Sequence, residues 1–297
     1  DRIWDLIERH GVTVLLTTPT FLRNCKAFGD ELVKKHDLST LRVIFTSAEP
    51  IDYDTWMWCF KNVCKEKIPI INGSGGTEVF GGLIGPTTIT PLKPCCLGRL
   101  QTPGVATNVY DEDGKPVRNE IGYLVVEKPF PGQTRGFWKD PERYMETYFS
   151  KWPNVWYHGD LVLMDEEGFW FHYGRADDII KSAGRRIGPA DIENALLRHP
   201  SVVEGAAVGL PHPVKGEAIV CFVVLKPGFE PSEKLRNELK EEVVKALGKP
   251  FMPDEVRFVE DLPKTRAMKI MRRLIKRKCL GMSLGDTSGL VNPEALE

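Results

Sequence analysis

The alternation of short apolar runs with helical patterns through the first eighty residues limits the chain to few architectures. Val12 to Leu16 is β-rich, Thr17-Thr18-Pro19-Thr20-Phe21 turns into a helix, and Leu41 to Thr46 is a second strand. Ser47-Ala48-Glu49-Pro50 leads into a helix through Trp56 and Phe60, and Ile68 to Ile71 forms a third strand that runs into Asn72-Gly73-Ser74-Gly75-Gly76-Thr77-Glu78. Strands joined by helices at this spacing predict a parallel sheet, whose ligand-binding loops lie at the strand carboxyl ends.

From residue 82 the pattern changes. Tyr110 to Pro116 is a tight turn, Gly122 to Glu127 a strand, Pro141 to Phe149 a helix, and Leu161 to Tyr173 a hairpin. This predicts a small antiparallel unit over 82–176 after a sheet portion over 1–81. Residues 177–280 read as a separate α+β domain: a helix at 189–199, strands near 202–209, 219–225 and 255–260, a charged helix at 232–246 and a basic helix from about 269. Polar, turn-rich residues 281–297 are expected to form an extended tail.

Charge and cysteine content exclude several classes. With 40 basic and 41 acidic residues among 297, no global field points to nucleic acid or a membrane surface. Seven cysteines without a C-x-x-C pair argue against a disulfide framework or a zinc site and fit a reducing, cytoplasmic setting. No apolar run reaches the length of a membrane span. The chain starts at Asp1 directly within a helical pattern, which suggests that a preceding segment is missing.

Three stretches invite chemistry, and each has a plain reading. Gly174 to Glu193 reads as a surface strand–turn–helix, with Pro189 at the first helical position and Asp191 and Glu193 near the positive helix end. The glycines of 73–78 suit an ordinary turn as well as close approach to a phosphate. Basic residues crowd from Lys264 to Lys278, which alone suggests an anionic partner, yet interleaved Ile270, Met271, Leu274 and Ile275 suggest an amphipathic helix on a domain.

Taken together and in order, Tyr157-His158-Gly159-Asp160, Gly174 to Glu193, and Leu262-Pro263-Lys264-Thr265-Arg266-Ala267-Met268-Lys269 resemble the adenylate-forming (AMP-binding) superfamily. Leu284 to Ser288 and Gly136 to Tyr148 look most like its acetyl-, propionyl- and medium-chain acyl-CoA synthetase branch. The resemblance implies a ligase using ATP, Mg2+ and coenzyme A on a small-molecule carboxylic acid, medium-chain, branched or aryl rather than acetate. It places Ala48, Glu49 and Pro50 against adenine, Thr77 on the α-phosphate and Glu78 on the metal. Asp160 and Arg175 would hold the ribose, Arg186 a phosphate, and Gly184 would let the pantetheine arm pass. Asp177 would be the hinge of a mobile C-terminal domain, and Lys269 would stabilise the adenylation transition state. Gly75 and Thr18, with Phe21, would border the acyl pocket; acetate-specific relatives carry tryptophan at the first of these, so glycine points to a larger acid.

Some residues depart from that pattern. Ala48 stands where the family has glycine, Ala267-Met268 replaces Ser-Gly before the lysine, and His158 replaces Thr or Ser and receives no role. The family's phosphate-gripping loop does not occur in this sequence. A truncated homologue that binds nucleotide or coenzyme A without turnover is therefore the alternative. A carrier-protein thiol as acceptor ranks lower, and a homo-oligomer is left open.

Overall fold

The computed structural model describes residues 1–266 and 268–297, which divide into two compact units, Asp1–Ala176 and Asp177–Glu297. The first unit opens with α1 (Arg2–His10), closed by Gly11 at φ 59°, a left-handed position that glycine adopts without strain. β1 (Val14–Thr17), β2 (Val43–Thr46) and β3 (Ile70–Asn72) form a parallel sheet in that order, linked by α2 (Pro19–Ala27), α3 (Glu31–Lys34) and α4 (Tyr53–Trp58). Trp4, Ile7, Leu22, Ile44, Trp56 and Cys59 build its core. β1 lies at the sheet edge, where Val14 and Leu16 are exposed.

The stretch after β3 is a hairpin of β4 (Ser74–Gly76) and β5 (Val79–Ile84), with Thr77 and Glu78 at its turn. The sequence reading treats residues 73–78 as a loop, because their three glycines carry no strand propensity. Tertiary packing decides otherwise. A four-stranded antiparallel sheet follows, built from β6 (Thr107–Tyr110), β7 (Gly122–Val126), β8 (Trp156–Met164) and β9 (Trp170–Arg175). Helix α5 (Pro141–Phe149) packs on it, and Tyr148 stacks on Trp156 with ring centroids 3.8 Å apart.

The second unit begins with a hairpin of β10 (Ile180–Ser182) and β11 (Arg185–Ile187), whose two-residue turn is Ala183-Gly184, both at positive φ. Two-residue hairpin turns of this kind match the strand twist. Then come α6 (Pro189–Leu196), β12 (Val202–His212), β13 (Gly216–Leu225), α7 (Glu233–Leu247), β14 (Glu255–Phe258) and α8 (Arg272–Cys279). Ala207, Ile219, Cys221 and Val223 face α6 and α7, whereas Ala206, Val208, Val220 and Phe222 face Ile275 of α8. Burial on both faces explains the unbroken apolar run from Ile219 to Leu225. The architecture is thus a parallel-sheet portion and a small antiparallel unit, followed by an α+β unit.

Two expectations need correction in the second unit. The basic helix starts at Arg272, so Lys269 sits in the loop before it. Residues 281–297 do not extend freely: Asn292 is buried and Val291 N donates to Lys264 O at 3.0 Å. Polar composition suggested a tail, but the polar atoms are spent on the domain.

A buried ion pair ties α8 to α6. Arg272 donates to both oxygens of Glu193, at 2.7 and 2.5 Å, and Glu193 also accepts from Ala207 N at 2.9 Å. Removing one partner of such a pair leaves an uncompensated charge, which costs about 3–5 kcal/mol. Arg272→Met should therefore lower the unfolding free energy by about that amount. Glu193→Gln added to it should recover most of the loss in urea unfolding; additive losses would show that the pair is not the source.

Candidate active site

Three loops converge at the carboxyl end of the parallel sheet. Thr18 follows β1, Ser47 to Pro50 follows β2, and Gly73 follows β3, with Ser47 Oγ donating to Gly73 O at 2.8 Å. This is the edge at which open α/β sheets bind ligands. Thr18 accepts from Phe21 N at 3.3 Å and so caps α2. Glu49 is buried, and its carboxylate accepts from Thr20 N at 2.6 Å and from the Thr20 hydroxyl, while Arg23 lies 2.9 Å away. Ala48 sits at φ 84°. An L-residue in that region is strained by about 1–2 kcal/mol, whereas glycine would adopt it freely.

The antiparallel sheet brings the second group of residues to the β4–β5 hairpin. Asp160 on β8 is 5 % exposed and pairs in register with Arg175 on β9. Its Oδ2 lies 3.3 Å from His172 Nε2 and 3.6 Å from His158 Nε2, and its Oδ1 accepts from Arg175 Nη1 at 3.4 Å. Burial opposes ionisation, but His172, His158 and Arg175 outweigh it and hold the carboxyl well below the usual carboxylate range. Arg175 also donates to His158 O at 2.9 Å. Its guanidinium packs on Gly159 so closely that a Cβ there would meet it at 2.5 Å.

His158 is the residue that sequence reasoning missed. A loop histidine is ordinarily solvated, yet this one is 7 % exposed on a strand. Trp156 Nε1 lies 3.4 Å from its Nδ1, and its Nε2 lies 3.2 Å from Gly75 O. An indole can only donate, so Nδ1 accepts and the proton sits on Nε2, facing the hairpin. A Cβ at Gly76 would come within 3.1 Å of His158 Cε1, and one at Gly75 within 2.9 Å of the Gly82 backbone. The only signal in the sequence is the bulk of a histidine where the family writes Thr or Ser, opposite paired glycines.

Glu78 is half-buried, and its carboxylate lies near the Tyr148 phenol. Burial, then the Glu78 charge, push that phenol well above its usual range. Thr77 is exposed beside it. Among the described residues no group of three or more His, Cys, Asp or Glu could enclose a metal. One carboxylate at an exposed turn instead fits Mg2+, which keeps waters and joins one or two carboxylates to substrate phosphates.

The remaining candidates lie in the second unit. Gly184 (φ 74°) and Arg186 are exposed on the β10–β11 hairpin, and Asp177 is exposed at the unit's first residue. Asp177 and Asp178 line a cavity of about 270 Å³ with Arg272, Arg273, Lys276 and Arg277. Lys269 is exposed, and its backbone N–H donates to Thr265 Oγ1 at 3.3 Å. Met268 before it has φ 63°, again a left-handed position without glycine, which costs about 1–2 kcal/mol; Ala267 lies outside the described residues.

Burial pushes His158 below its ordinary value despite the neighbouring Asp160. The unfolded chain therefore takes up this proton first as pH falls below about 6.5. Stability declines on acidification from there until the folded-state value is reached. The stability gap between wild type and His158→Gln should accordingly narrow between pH 7.5 and pH 5 in urea unfolding. Parallel curves would show that the imidazole titrates normally.

Family models match most of the chain: the AMP-binding enzyme model covers residues 1–138, and the AMP-binding enzyme C-terminal domain model covers residues 191–269. Acetyl-coenzyme A synthetase from Pyrobaculum aerophilum is 43 % identical across all of this chain, and 3-hydroxypropionyl-coenzyme A synthetase from Sulfurisphaera tokodaii is 41 % identical. The chain spans 45 % and 46 % of their lengths. Acetoacetyl-CoA synthetase from Streptomyces lividans superposes with a TM-score of 0.84 at 28 % identity, over 99 % of this chain and 45 % of that one. On these matches, the chain is a member of the AMP-binding, adenylate-forming enzyme family.

Proposed function

We propose that this chain serves an AMP-forming acyl-CoA synthetase. In the first half-reaction a carboxylate oxygen attacks the α-phosphorus of ATP and pyrophosphate leaves. In the second the coenzyme A thiolate attacks the acyl carbonyl and AMP leaves. The observation that carries the reading is Asp160: a buried, ionised carboxylate held by Arg175, 3.6 Å from a histidine that reaches the glycine hairpin. Such an acceptor suits a ribose diol. On this reading Thr77 meets the α-phosphate, Glu78 holds Mg2+ and Lys269 meets charge developing on the phosphate and the carboxylate. Loop 48–50 offers adenine its backbone and the Pro50 face, because the Glu49 carboxylate is engaged by α2. Arg186 and Gly184 serve phosphate and pantetheine, and Asp177 is the hinge.

The acid on this reading is larger than acetate: medium-chain, branched or aryl. Gly75 brings no side chain to the pocket, and one could be added only by displacing the Gly82 backbone. Acetate itself is the second reading, favoured by the relatives named for acetyl transfer. A chain that binds nucleotide without turnover is a third, favoured by its spanning under half of those relatives.

ATP–pyrophosphate exchange with acetate, 3-hydroxypropionate, butyrate, octanoate and benzoate separates these readings. Exchange fastest with an acid of four or more carbons supports the first, and acetate alone supports the second. Nucleotide binding without exchange supports the third. Lys269→Ala should cut adenylate formation by about 10²–10³-fold, the scale for losing one charge-stabilising donor. It should leave thioester formation from supplied acyl-AMP nearly unchanged. Equal loss of both steps would remove the lysine from the adenylation step.

A further inference from the structure

The loop that presents Lys269 is held from a distant part of the chain. Within the loop, Thr265 N donates to Lys269 O at 3.0 Å, Met268 N to Thr265 O at 2.8 Å, and Met271 N to Pro263 O at 2.8 Å. Lys264 and Ile270 pair as an isolated bridge, and Ile270 is buried against the core of the second unit. These bonds are short-range, and within them Met268 stands at φ 63°. A strained residue persists only where its surroundings over-determine it.

The extra constraint comes from residues 290–292. Asn292, 8 % exposed, accepts from Lys264 N at 2.8 Å and donates to Leu262 O at 2.8 Å and to Asp261 Oδ2 at 2.6 Å. Val291 N donates to Lys264 O at 3.0 Å, and Leu290 bridges Thr265. Lys264 is thus paired with Ile270 on one side and with the 290–292 segment on the other. Its ammonium is buried between Glu204, at 2.6 Å, and Asp261. One amide side chain satisfies a backbone donor, a backbone acceptor and a carboxylate that also binds the Lys264 ammonium.

We infer that the 290–292 segment is a clamp on the adenylation loop and that Asn292 is a positioning residue for Lys269. The inference rests on the reading of Lys269 given above. Asn292 does not reach the reacting atoms. It fixes the strand-like arm from which the loop departs, so that the exposed lysine is presented in one place although the residue before it lacks glycine's freedom. Preorganisation of this kind matters because small misplacements of a charge-stabilising group lose much of its effect.

The test uses the full chain with Asn292→Ala, and with Met268→Gly in the same background. Three readouts are compared: adenylate formation, thioester formation from supplied acyl-AMP, and amide hydrogen exchange over residues 262–271 relative to the rest of 177–297. Asn292→Ala is expected to slow adenylate formation at least tenfold, leave the thioester step within twofold and accelerate exchange over 262–271 alone. Met268→Gly should restore part of the lost adenylation, because a relaxed loop depends less on its clamp. Equal slowing of both steps, or faster exchange throughout 177–297, would make Asn292 a general stability residue and overturn the proposal. Should wild type form no adenylate, the functional reading fails while exchange still decides the clamp: unchanged protection over 262–271 in Asn292→Ala overturns it. If Asn292→Ala does not fold, Asn292→Ser, which keeps one polar group, carries the same readouts.

Discussion

The burial of the Asp160 carboxylate organises the first unit. An ion taken out of water is costly unless opposite charge and hydrogen bonds return what solvation supplied. Here the return comes from three side chains on two strands: Arg175 and His172 on β9, and His158 on β8 itself. Strand alternation sets His158, Asp160 and the partner of His172 on one side, and the irregularity between Asp160 and Val162 sets Arg175 opposite Asp160. From there the constraint spreads. His158 is oriented by Trp156, Trp156 is stacked by Tyr148, and Tyr148 reaches Glu78. The Asp160 and Glu78 carboxylates are thus linked through packed aromatic rings.

The second unit answers a similar problem with different residues. Glu193 with Arg272, and Lys264 with Glu204 and Asp261, are buried ion pairs placed where a loop or helix start must be fixed. Such pairs add little net stability compared with apolar packing, because desolvation offsets their attraction. What they supply is a directional requirement: a bidentate guanidinium on Glu193 fits only one orientation of α8. In both units the loops carrying candidate chemistry are short, and ionic anchors hold what extended hydrogen-bonded ladders would otherwise hold.

Much of this was legible in the residues. The parallel sheet and the ligand-facing strand ends follow from apolar runs separated by helical patterns, and the antiparallel unit follows from turn chemistry such as that at Asp111 to Pro116. The misreadings share one cause. The 73–78 stretch supplies one strand and the turn of a hairpin, Lys269 precedes its helix, His158 is buried, and the 281–297 segment is tied down. Each outcome is decided by tertiary contacts that the local pattern does not record: Gly82 for Gly75, Gly75 for His158, Asn292 for Lys264. Local propensity carries no trace of such partners.

Ala48 and Met268 show how far tertiary contacts override local preference. Both hold a left-handed backbone without being glycine, at φ 84° and 63°. Had local preference ruled, each loop would have relaxed to negative φ and carried its neighbours with it. Instead Ser47 remains bonded to Gly73 O and Glu49 to Thr20 on either side of the first position, and Thr265 and Lys264 remain paired before the second. Several bonds would break if either residue relaxed, and together they exceed a strain of about 1–2 kcal/mol. The loop conformation is therefore set by the surrounding bonds rather than by the preference of the residue that stands there.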